Sequence, residues 1–149
     1  MSNEPRWVQL IDETGGRLSV IELDDALVPL APVEAYPLQL AISVGFDEPD
    51  PTGQPYDDEH LALLAWQAAL VQALGDGGRL VATLTADGVR EIVAYIGSVE
   101  QVDAWQDAPP AGLGSYAAAV TLLPDPGWLG LREIAGLLGP DEEPLRAPA

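Results

Sequence analysis

Cysteine is absent from this chain of 149 residues, lysine is absent as well, and histidine occurs once. Without cysteine there is no disulfide, no thiol nucleophile and no thiolate metal site. With no lysine and a single histidine, nucleophilic catalysis has few candidates, and no glycine-flanked serine elbow is present. Positive charge is scarce: six arginines (Arg6, Arg17, Arg79, Arg90, Arg132 and Arg146) face 24 acidic residues, for a net charge of −18. Affinity for a phosphate backbone rests on cationic contacts, so nucleic acid is not an expected partner. Anionic membrane surfaces are disfavoured for the same reason. The simplest use of such acidity is solubility; imitation of a polyanion toward a basic protein and adaptation to salt are the functional alternatives. The longest apolar run is interrupted by Gln67 and Gln72 and flanked by acids, so it is no membrane span. Residues 1–6 carry no charged-then-apolar signal pattern, and a cytoplasmic location is the expectation.

What is present is the composition of a globular domain, with 48% hydrophobic residues over a length typical of one unit. We expect a single α+β domain over residues 1–140, followed by a flexible acidic tail at 141–149. Residues 6–23 read as an amino-terminal hairpin turning at Thr14-Gly15-Gly16. Residues 24–37 hold Pro29, Pro32 and Pro37 and predict an extended surface connector. Leu38, Leu40, Ile42, Val44 and Phe46 alternate with small or polar residues, the clearest strand in the chain.

A long helix is predicted over 57–74, capped by Asp57 or Asp58, with acids in its first turn. Its core stripe reads as Leu61, Leu64, Ala68 and Val71, widened by Leu63, Trp66, Leu70 and Leu74, so the helix should be largely buried. On that reading Leu64→Ala costs about 2–5 kcal/mol. A hairpin follows, with Leu80, Ala82 and Leu84 on one face and Ile92, Ala94 and Ile96 aligned with them. That alignment needs a three-residue loop at Ala86-Asp87-Gly88. It leaves Val81, Val93 and Tyr95 on a second face too apolar to stay bare, which the amino-terminal hairpin or a second subunit should cover. Ser98 to Gln101 form a capping box for a short helix, Tyr116–Leu123 a last strand, and Asp125-Pro126 the start of a helix to Leu138. From Leu38 the order strand, helix, strand, strand, helix, strand is that of the ferredoxin-like split-βαβ sandwich, an antiparallel sheet with two helices on one face. The core spans 38–123, with the hairpin and a carboxy-terminal helix at 125–138 as additions.

Four short motifs point further: Tyr36-Pro37 before the first core strand, Gly53-Gln54-Pro55 before the long helix, Thr85 to Arg90 followed by Tyr95, and Asp125-Pro126-Gly127-Trp128. Together they resemble the bacterial family called domain of unknown function 695. The resemblance covers most of residues 7–135 and implies an uncharacterised cytoplasmic domain. Relatives in that family sometimes sit beside a domain similar to the B-type regulator of ribonuclease E, an acidic inhibitor that binds protein. The resemblance implies no catalytic residue.

The remaining candidates each have a plain reading. His60 is a possible base or ligand, but without a second ligand or nucleophile it reads as a solvated helix-start histidine. The loop from Glu48 to Glu59 echoes a calcium loop, yet begins with Glu, has Pro55 at the eighth position and follows a strand. Gly75 to Gly78 precede a strand and make no phosphate cradle. Arg90 either balances Asp87 or marks a recognition point, and Trp128 reads as a core anchor. No catalytic residue, metal site or cofactor is implied. The expectation is a non-catalytic interaction or regulatory module whose partner, another protein or a second copy, docks on a surface of Val81, Val93, Tyr95 and Arg90. The alternative is a small-molecule binder or carboxylate-dependent hydrolase at the acidic 47–59 loop.

Overall fold

The computed structural model describes residues 6–45, 48–100 and 118–138. Six strands form one open sheet: β1 (Trp7–Thr14), β2 (Arg17–Asp24), β3 (Leu38–Gly45), β4 (Gly78–Ala86), β5 (Val89–Ile96) and β6 (Ala118–Pro124). Their spatial order is β1-β2-β4-β5-β3-β6, and every neighbouring pair is antiparallel. Helices α1 (Asp57–Leu74) and α2 (Leu129–Leu138) complete an α+β architecture. The expected short helix after Ser98 is described only at Val99 and Glu100, which are helical. The rest of that helix, the first residues of the expected last strand and the acidic tail lie outside the described residues.

Each face of the sheet carries its own core. On the first, Leu40, Ile42 and Val44 of β3 and Ile92, Ala94 and Ile96 of β5 meet Leu63, Trp66, Leu70 and Leu74 of α1. These four helix residues are spaced by three, four and four, so they fall on one side of a 3.6-residue helix. The stripe expected in the core is the wrong one: Leu61, Leu64 and Val71 point outward. The helix is apolar nearly all round, so periodicity alone gave its stripe no preferred phase. Its amino-terminal cap position is Tyr56, which makes no side-chain cap bond, while Asp57, Asp58 and Glu59 lie in the first turn where the helix dipole favours them.

The second hairpin also departs from expectation. Its loop has two residues, Asp87 and Gly88, with φ of 52° and 82°, the conformation that closes tight hairpins. Ala86 therefore pairs with Val89, and Leu84 with Glu91. A bulge between Leu80 and Ala82 reconciles this register with a continuous core. It lets Leu80 face α1 while Ala82 packs on the opposite side, so Leu80 and Ala82 do not share a face. The segment 24–37 is not simply extended, since Asp25–Leu30 form a 3-10 helix that buries Leu27. Its cap is the side chain of Asp24, which accepts from the Ala26 N–H.

The loop before α1 is a clamp. Gln54 Nε2 donates to the Leu18 and Thr85 carbonyls, both at 2.9 Å, tying the ends of the two hairpins together. Gly53 lies so close to the second turn that a Cβ there would stand 2.9 Å from the Asp87 nitrogen, and its φ of +90° is itself a glycine conformation.

Candidate functional site

The surface expected for docking is the interior. Val81, Val93, Tyr95 and Arg90 are all buried within the chain itself. The second face of the sheet, which Val8 and Leu23 of the hairpin extend beside Ala82, is covered by Trp128 and Leu131 at α2 and by Leu27 of the 3-10 helix. Nothing further is needed to keep Val81, Val93 and Tyr95 from water.

Tyr95 and Trp128 form the centre of that covered face. Their rings stack at 4.2 Å between centroids with planes 13° apart. The Trp128 indole N–H donates to the Tyr36 carbonyl at 2.8 Å. Tyr95 Oη donates to Asp125 at 2.6 Å and accepts from Gln39 and from the Leu131 N–H. Asp125 in turn accepts from the Leu129 and Gly130 N–H groups, so it caps a helix that begins four residues later than the motif suggested.

Burial and donation to Asp125 push the Tyr95 hydroxyl up to about 12. Burial pushes the Asp125 carboxyl up, but the bonds from Tyr95, Gly130 and Leu129 outweigh it and hold that group below its ordinary value. A raised tyrosine stabilises the fold below its unfolded value near 10 and loses that contribution as pH rises through about 12. A depressed carboxyl stabilises above its unfolded value and loses its share as pH falls through the folded one. Denaturant melts across pH should therefore show an alkaline loss that Tyr95→Phe lacks. An equal loss in both proteins would mean this network is not what titrates.

Beneath α1 lies a second polar cluster. Arg90 is 3% exposed. It does not balance Asp87, which bonds to Arg17 at 2.8 Å. Its guanidinium donates to Thr85 Oγ1 at 2.9 Å, Gln67 Oε1 at 3.3 Å and His60 Nδ1 at 3.3 Å. A guanidinium has no acceptor, so His60 Nδ1 is the accepting nitrogen here. His60 is thus half-buried and engaged rather than simply solvated. Burial lowers the pKa of Arg90, while Glu22 across the strands acts in the opposite direction. Glu22 accepts from Thr83 Oγ1 at 3.3 Å. The cluster fastens α1 to the sheet through neutral acceptors.

Alongside it, α1 and the sheet leave a cleft of about 380 Å³. Its apolar lining is Trp7, Leu64, Ala68, Val71, Leu74 and Leu80, and its polar lining includes Asp24, Gln67 and Arg79. Asp24 is buried and accepts from the Arg6 N–H at 2.9 Å and from Arg79 at 3.4 Å. The stripe beside the cleft continues to Leu61. Leu61, Leu64, Ala68 and Val71 were expected in the core; the signal that could have found them on the surface is a helix with more apolar surface than one sheet face can cover.

The acidic loop holds a concavity of about 450 Å³ lined by Glu48, Tyr56, Asp58 and Glu59. Glu48, Tyr56 and Asp58 are exposed, so it opens to solvent. Asp50, the third position of the calcium-loop echo, is spent on its own turn: one oxygen accepts from Thr52 N–H, Thr52 Oγ1 and Gln54 N–H. These bonds, the Thr52 hydroxyl foremost, hold its carboxyl below the ordinary range. Among the described residues no three His, Asp or Glu side chains are grouped to hold a metal ion, and no helix is long and apolar enough to cross a membrane.

Among the described residues, fold and site together define an α+β protein with an open antiparallel sheet, different helices on its two faces, and an apolar cleft beside the longer helix. Residues 5–133 match a family of unknown function (DUF695), and the chain belongs to it. No curated protein and no solved structure matches the chain.

Proposed function

We propose that this chain is a non-catalytic protein-interaction module of the cytoplasm, with a ferredoxin-like core, whose docking face is the outward side of α1 and the adjoining cleft. The order of the four strands from Leu38 onward supports the core assignment: β3 lies between β5 and β6, with β4 outside β5. The observation that carries the functional reading is the exposure of large aliphatic side chains on α1. Leu61 is 65% exposed, Leu64 41% and Val71 46%. With Ala68 they form one stripe at spacings of three, four and three, in a stretch from His60 to Leu74 that has no carboxylate and no arginine. A contiguous apolar strip beside an apolar cleft is what a monomeric surface ordinarily avoids unless it binds something.

The test compares capture by two immobilised proteins, the natural chain and a Leu64→Glu/Val71→Glu variant. A protein retained by the first and lost by the second, with the variant's melting temperature nearly unchanged, supports the reading. Identical capture by both, or capture by neither, overturns it.

A further inference from the structure

Resting on that reading, we infer that the partner presents a basic amphipathic helical segment, seated lengthwise along α1 with its apolar side in the cleft. The stripe from Leu61 to Val71 spans eleven residues of helix, about 15 Å, the footprint of a short helix laid in a groove. It is bracketed by acids, with exposed Asp57 and Asp58 at its amino-terminal end and exposed Asp76 beyond its carboxy-terminal end. The chain that carries it has a net charge of −18 and no lysine. A second copy would bring these acids toward their own kind, and an acidic or neutral segment would gain nothing at either end. A segment with leucine-like residues on one side and lysine or arginine at its flanks satisfies strip and rims together, and long-range attraction speeds its arrival.

The probe is a synthetic amphipathic peptide of leucine and lysine, roughly 14 residues long, with a leucine–glutamate counterpart, titrated into the full chain by calorimetry. We expect saturable one-to-one binding of the lysine peptide, at least about tenfold tighter than the glutamate peptide. Raising salt from about 50 mM to about 500 mM should weaken it several-fold as the rims are screened. Leu64→Glu/Val71→Glu should abolish it. Equal affinity for both peptides, unsaturable binding, or undiminished binding by the variant overturns the inference. So does a chain that light scattering shows to be a dimer and the variant turns into a monomer, because a second copy then occupies the face. Differential capture of a protein that persists without any affinity for the lysine peptide defeats this inference alone and leaves the interaction module standing.

Discussion

Replacing Trp128 with alanine is expected to destabilise the fold by about 3–5 kcal/mol, the range for a fully buried tryptophan. Trp128 is 0% exposed, stacks on Tyr95 and spends its indole N–H on the Tyr36 carbonyl. Truncation removes the stack, opens a cavity in the cluster that holds Val81 and Val93, and leaves a half-buried carbonyl without its donor. Trp128→Phe keeps an aromatic ring and should cost clearly less than alanine. Urea denaturation of the three proteins reads both differences. A loss below about 1 kcal/mol for alanine would mean that α2 is not held to the sheet by this residue.

Leu70→Ala and Leu64→Ala should separate sharply, although both leucines lie on the same helix six residues apart. Leu70 is fully buried between α1, β3 and β5, and its truncation should cost about 2–5 kcal/mol. Leu64 is exposed beside the cleft, and its truncation should stay within about 1 kcal/mol. Equal losses would place the helix in a rotation about its axis other than the one described. The pair also separates stability from binding, since Leu64 belongs to the proposed docking strip and Leu70 does not.

The strands were legible because their alternation is strong. Leu40, Ile42 and Val44 show period two, and the glycines at 15, 16 and 88 mark turns that are glycine turns in the structure. The phase of α1 was not legible because nearly every position is apolar; which stripe goes inward is decided by the sheet it meets. The face assignment of β4 failed for a different reason. One extra residue at Val81 changes the parity of everything on one side of it, and nothing in Leu80-Val81-Ala82 announces a bulge. From that single shift follow the two-residue turn and the placement of Thr85 opposite Arg90, whereas Arg90 shares the α1 face with Ile92 and Ala94 whatever the register of β4. The burial of Val81, Val93 and Tyr95 was half legible: the second face was expected to need cover, and the Asp125 motif was read as a helix start. The missing step was to put that helix on that face. The candidate cleft could not be read at all, because its walls come from β1, β2, β4 and α1, which only the folded sheet order brings together.

That order also governs how the chain can be made. β3 is flanked by β5 and β6, both synthesised long after it, and among the described residues no earlier strand pairs with it. On a ribosome it emerges with both edges open and stays so while more than forty residues follow. Open, apolar edges on a nascent chain invite other nascent chains. The acids that crowd the loop between Glu48 and Glu59 are translated immediately behind this unguarded strand. Like charge at that place opposes edge-to-edge pairing between two such strands.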